Sequence, residues 1–252
     1  MIRYGIGSLS IRTRNKKLDL MTADRLSLPD SSWRSVYIVL NTHEIVRSPL
    51  DLYRYATQIK MPEPKFFLFG GVKPWNENAW MDTDDRVRGG ESQSYLIHSA
   101  DSRIASFRGN LDITALGGAG FASQRTVDPQ SWDLFDWHGL RICIGDNDGK
   151  KYTLVLKDKI PQKRPDGADE STVSWEYDFV PSSNDTIVTA FWNDFKPTYR
   201  GKPKPDVAEP LHPENIKRIS IMMRSHFGDQ HGPFRLDLRY IAAIDFDQKA
   251  EE

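Results

Sequence analysis

Three carboxylates, Asp82, Asp84 and Asp85, fall close together in the stretch "WMDTDDRVRGGESQSYL", residues 80–96. Carboxylates this near one another can divide general acid and base work, or hold a hard cation through oxygen ligands. They have a plainer use as well. Asp and Ser side chains saturate the backbone donors of a turn, with Arg86 or Arg88 pairing a neighbouring acid. The sequence favours this third use. No EF-hand spacing surrounds the acids, and no second motif completes a glycosidase pair.

Other stretches raise and lose similar claims. "LGGAGFASQ" (116–124) has the glycines of a phosphate loop but matches neither G-x-G-x-x-G nor the Walker pattern, and no helical pattern follows it. Its flanks read as strands, which predicts a bulge or close backbone packing. His226, Asp229 and His231 lie in one loop, "SHFGDQHGPF", where a metal would still need a fourth ligand and supporting hydrogen bonds. The single cysteine, Cys143 in "LRICIGD", has no visible His partner and reads as a small buried apolar residue. No G-x-S-x-G elbow is present. The expected set of catalytic, cofactor-binding and metal-ligating residues is therefore empty, and no enzyme activity is expected.

The elements that must position these residues are strands. "SWEYDF", "PFRLDLRYI", "GLRICIGD", "KYTLVLKD" and "ISIMM" alternate apolar and polar positions, the period of half-buried strands. About eight such strands are expected between residues 94 and 246, with Asp148-Gly149 in "GDNDGKKY" as a hairpin turn signal. No helical stretch there is long enough for a βαβ crossover, so an antiparallel sandwich of jelly-roll type is predicted. The Pro-rich stretches "KIPQKRPDGADES" and "KPTYRGKPKPDVAEPLHPEN" read as surface loops. Trp132, Trp137, Trp175 and Trp192 lie in or beside strand patterns and are expected in the core. Trp75 and Trp80 are expected there too, with a sugar-stacking platform as their alternative.

Composition narrows the partners. With 34 basic and 35 acidic residues, the net charge of −1 excludes the global basic footprint of a nucleic-acid binder. No apolar run reaches the length of a membrane span. Residues 1–65 differ in texture from the rest. They begin with "MIRYGIGSLSIRTRNKKL", whose basic, acid-free composition is that of a mitochondrial transit peptide, a disordered start being the alternative. They carry a short helical pattern after Ser48-Pro49 and end in a "KMPEPK" linker. The expected division is an extension over 1–65, partly helical or disordered, a sandwich over 66–246, and a polar tail over 247–252.

Five blocks occur in order: "WMDTDDRVRGGESQSYL", "FRGNLDITALGGAGFASQRT", "GLRICIGDNDGKKYTLVL", "FWNDFKPTYRG" and "HGPFRLDLRYIAAI". In this the chain resembles the complex I intermediate-associated protein 30 family from about Phe66 to Phe246. The resemblance implies an all-β, galactose-binding-like β-sandwich. It also implies a non-catalytic chaperone of mitochondrial respiratory complex I assembly, with complex I subunits or other assembly factors as partners. The alternative is a carbohydrate-binding module recognising an intracellular glycan, and a cytoplasmic location is the alternative to a mitochondrial one. The family's Val-Met-Gly-Gly turn is Val87-Arg88-Gly89-Gly90 here. The candidate signature and interaction segment comprises Trp80, Asp84, Asp85, Arg86, Arg88, Gly89, Gly90 and Ser92.

Overall fold

Alternating side chains need two surfaces to face, and the chain supplies them as two antiparallel sheets. The computed structural model describes residues 12–13, 16–17 and 63–245, apart from 99–102, 129, 166, 168, 183, 185 and 208. The expected helix after Ser48-Pro49, the rest of the leading segment and the polar tail lie outside the described residues. The chain divides into two compact units, Met1–Glu63 and Pro64–Glu252. In the first, β1 (Arg12–Thr13) pairs with β2 (Lys16–Lys17).

The second unit is a β-sandwich of jelly-roll type. Its strands are β3 (Phe66–Gly70), β4 (Trp80–Asp82), β5 (Gln93–His98), β6 (Ala105–Leu111), β7 (Phe121–Thr126) and β8 (Gly139–Asn147). They continue with β9 (Tyr152–Lys157), β10 (Ser174–Phe179), β11 (Thr186–Phe191), β12 (Lys196–Tyr199) and β13 (Lys202–Pro203). The last two are β14 (Arg218–Arg224) and β15 (Gly232–Ile244). One sheet runs β13-β12-β10-β9-β14-β7-β4 and the other β11-β8-β15-β6-β5, with β3 added along β15.

Register explains the core. In the seven-stranded sheet Trp175 lies opposite Leu156 and Tyr177 opposite Leu154, while Ile219 and Ile221 face the same two leucines from the other side. These side chains share one face and meet Phe107, Ile142, Ile144, Leu236 and Leu238 of the second sheet. The Tyr152 ring, 6.2 Å from Phe107 and 6.4 Å from Phe234, is one such contact across the sandwich. Each aliphatic or aromatic side chain among them that is fully buried contributes about 1.5–3 kcal/mol.

Several expectations need correction. Eleven strands, β5 to β15, begin between 93 and 232 rather than about eight. The Asp148-Gly149 turn forms, with Gly149 at φ 71°, but β8 and β9 belong to different sheets. It is an arch between layers, because the turn signal is local while sheet membership is not. The second Pro-rich stretch contains β12 and β13, and Leu211 within it is buried. Cys143 is half-buried rather than buried. Its register partner Ile187 is 45% exposed, which places both residues on the outer side of the six-stranded sheet.

Candidate functional site

Strand β4 is short. It pairs with β7 only as far as Asp82 opposite Gln124, and then Thr83 N–H donates to Ser123 O at 2.8 Å. Beyond that point the backbone donors of β7 have no strand beside them. The edge of β5, in the other sheet, faces the same gap. Side-chain acceptors can reach donors on both edges.

Asp84 and Asp85 fill the gap. Asp84 accepts from Ser94 N–H at 2.9 Å, Ser94 Oγ–H at 2.6 Å and Ser123 N–H at 2.8 Å. Asp85 accepts from Ser92 N–H at 3.0 Å, Ser92 Oγ–H at 2.8 Å and Phe121 N–H at 3.0 Å. Each carboxylate thus joins one residue at the β5 edge to one residue of β7, and so one sheet to the other. Same-edge amides two residues apart are separated by about 6.6 Å along a strand, a span that neighbouring Asp side chains can cover. Gln124 Nε2 extends the network, donating to Ser94 O at 3.1 Å and to Ser94 Oγ at 3.0 Å.

Burial makes the arrangement strong. Asp84 is 2% exposed and Asp85 0%, and hydrogen bonds to an ionised group are worth about 1.5–3 kcal/mol each. The oxygens face N–H and O–H donors, which repel a cation. With no oxygen open to solvent, neither acid is placed to exchange a proton with a substrate. Among the described residues no three His, Cys, Asp or Glu side chains gather as a metal set.

The rest of the segment divides by exposure. Gly89, at φ 82°, closes the 3-10 turn Asp85–Arg88 in the left-handed region that glycine tolerates. Gly90 N–H donates to Asp85 O at 3.1 Å. Ser92 is buried, and its Oγ accepts from Asp112 N–H at 3.0 Å. Trp80 is 7% exposed, with its ring 4.8 Å from Phe69 and 6.0 Å from Trp75. Trp75 is 3% exposed, so both rings are core and neither forms a platform. Trp175 is buried as well, while Trp132, Trp137 and Trp192 pack half-buried against the core. Arg86, Val87 and Arg88 point outward. Arg86 pairs with Asp82 and, at 3.4 Å, with Asp84. Arg88 lies over the Phe121 ring, 5.4 Å from its centroid.

The donors Ser94, Phe121 and Ser123 were not among the candidate residues. Their signal is present in the sequence: "ESQSYL" and "GFASQ" each offer two amides at i and i+2 to an adjacent Asp pair. Gly117 and Gly118, at φ 61° and 89°, form the turn before β7. Gly117 has no neighbour that a Cβ would meet and is explained by a left-handed turn, whereas a Cβ at Gly120 would lie 2.1 Å from Asp112 O, the close backbone packing expected of this stretch.

Residues 67–238 match the complex I intermediate-associated protein 30 family. The chain belongs to that family. It is 42% identical over 183 residues to an uncharacterized protein of Schizosaccharomyces pombe, covering 70% of this chain and 83% of that one. Among solved structures it is similar to the family 11 carbohydrate-binding module of a cellulosomal cellulase of Clostridium thermocellum. That likeness has a TM-score of 0.47 and 14% identity, over 75% of this chain and 97% of the module. It is also similar to an exo-beta-agarase, with a TM-score of 0.38 and 11% identity, over 71% of this chain and 25% of the agarase.

Proposed function

We propose that this member of the complex I intermediate-associated protein 30 family is a non-catalytic, protein-binding assembly factor for mitochondrial respiratory complex I. The observation that carries the reading is the family match over residues 67–238. The site chemistry supports it. The acids that most resembled a catalytic pair are consumed in holding the two sheets together. The Arg86–Arg88 turn beside them is exposed and carries both charge and an apolar Val87. Complex I subunits or other assembly factors are its partners in this reading.

We place its action in mitochondria, on the basic, acid-free composition of residues 1–17 together with the family's role. The glycan-binding alternative drew on Trp75 and Trp80 as stacking rings. Both lie inside the aromatic cluster around Phe69 and offer no face to a sugar.

Deleting the gene tests the function. Assembled complex I should fall on native gels while other respiratory complexes persist, and the full chain fused to a fluorescent protein at its C-terminus should co-localise with mitochondria. Normal complex I in the deletion strain would overturn the assembly role. A cytosolic fusion would overturn the location.

A further inference from the structure

Strands β9 and β10 are antiparallel neighbours, with Trp175 opposite Leu156, and a two-residue turn could join them. The chain instead uses residues 158–173 for the connection. Loops longer than about 12–15 residues are uncommon in compact domains and call for an explanation. This one folds back onto the outer side of its own sheet, where its second arm, Asp169–Thr172, makes three contacts. Asp169 accepts from Arg218 Nη1–H at 2.9 Å, Thr172 Oγ1 accepts from Lys157 Nζ–H at 2.7 Å, and Ser171 Oγ accepts from Arg200 Nε–H at 3.0 Å.

What lies beneath the arm calls for an anion. Lys157 on β9 is directly opposite Arg218 on β14. Their neighbours Leu156 and Ile219 enter the core, so both cations stand on the outer side. Like charges in such a pair repel, and Arg218 is buried. Burial and then Arg218 lower the Lys157 ammonium to about 8, and Asp169 leads the carboxylates that oppose them. The other two are held elsewhere, Glu176 by Arg224 and Thr198, and Asp158 by the His212 amide. The arm can lift without disturbing the core. Asp169 and Thr172 are half-buried, Glu170 and Ser171 are exposed, and none of the four is apolar. Segments with few buried apolar contacts open locally at well below the free energy of global unfolding. Arg218 would keep Asp128 as a partner through Nε–H at 3.2 Å.

We propose that Asp169 plugs a carboxylate receptacle built by Arg218 and Lys157, and that an Asp or Glu side chain of a partner protein takes its place when the arm lifts. The resident group specifies the ligand. Arg218 already holds a carboxylate through Nη1–H, a charge-assisted bond that an incoming carboxylate reproduces. Thr172 leaves with the arm, which frees donors of the Lys157 ammonium for the same ligand. The contact is autoinhibitory, since the receptacle stays filled until the arm moves. A partner protein as the source of the carboxylate rests on the protein-binding reading above, and the receptacle itself does not.

The test reads the acetylation rate of each lysine in the full chain, with N-hydroxysulfosuccinimide acetate as reagent and mass spectrometry as readout. The exposed Lys73 and Lys151 serve as references within the same molecule. In the native chain Lys157 should react about tenfold or more slowly than they do. Asp169→Ala should raise the Lys157 rate by about tenfold, with the near-UV circular dichroism unchanged. Asp169→Asn carries the same test with the shape of the side chain kept. Acetate, which reproduces the Asp side chain from Cβ outward, should slow Lys157 again in these variants, and chloride at equal ionic strength should not. An unchanged Lys157 rate in the variants would overturn the proposal, as would equal effects of acetate and chloride. Loss of the near-UV signal in both variants would overturn it too, because the arm would then be part of the fold rather than a plug. Normal complex I in the deletion strain would count against the assembly role while leaving the acetate result standing, so the two failures are distinguishable.

Discussion

The Asp85 carboxylate occupies the space that a side chain at Gly90 would need: a Cβ there would lie 2.3 Å from the carboxylate carbon. Neighbouring Gly89 has open space around it but a φ of 82°. The two glycines are therefore required for different reasons, one by contact and one by backbone conformation. Gly90→Ala should cost about 2–4 kcal/mol, since it displaces a buried acceptor from its donors. Gly89→Ala should cost about 1 kcal/mol, the strain of a left-handed Ala. Urea unfolding of the two variants checks the order, and equal losses would count against the Asp85 contact.

Charge within the segment should matter only where it is buried. Asp85→Asn turns one acceptor into a donor facing the Ser92 or Phe121 amide, and should destabilise by about 2–4 kcal/mol. Arg86→Ala removes an exposed pairing and should cost less than about 1 kcal/mol. Thermal unfolding of both variants separates these outcomes. A larger loss at Arg86 than at Asp85 would place the anchor of the corner at the wrong residue.

Lys157 gives a pH dependence. Burial lowers its ammonium to about 8 from the ordinary 10.5, with repulsion from Arg218 adding to the effect and Asp169, Asp158 and Glu176 opposing it. Because the folded pKa lies below the unfolded one, the folded state holds fewer protons than the unfolded between these values. Stability contributed by this group therefore rises with pH from about 8 towards 10.5. The buried Tyr152 hydroxyl, raised first by burial and then by Asp148, pulls the other way at high pH. The difference between the native chain and Lys157→Met removes that contribution. The native chain should gain on the variant between pH 8 and 10, and a constant difference in denaturant midpoint would refute the assignment.

The sandwich should stand without the leading residues. β3 begins at Phe66 and pairs with β15 from Tyr240 to Ala243, so the sheet is complete without the residues before it. A fragment of residues 66–246 should be soluble, unfold in a single transition and keep its near-UV circular dichroism. A molten fragment would show that the first unit contributes to the core.

Sequence and structure agree where burial is one-sided. At the start of β15, Phe234 and Leu236 enter the core while Pro233 and Arg235 are exposed, so the alternation is visible. In β7, "FASQRT", it is not. Ser123 and Arg125 are as buried as Ala122 and Thr126, because polar partners cover the outer side of the strand. The acidic pair was legible as chemistry but not as architecture. Asp84 and Asp85 could be singled out from their neighbours in the chain. Their partners at Phe121 and Ser123 lie 36 and 39 residues away and come together only when the two sheets meet.

Hydrogen exchange at four amides tests most directly the central claim, that Asp84 and Asp85 join the two sheets rather than serve a reaction. In the full chain the amides of Ser92, Ser94, Phe121 and Ser123 should be protected, although no neighbouring strand accepts from them. Asp84→Asn should release Ser94 and Ser123 first, and Asp85→Asn should release Ser92 and Phe121 first. Four amides that exchange as fast in the native chain as in an exposed loop, or that ignore both substitutions, would contradict it.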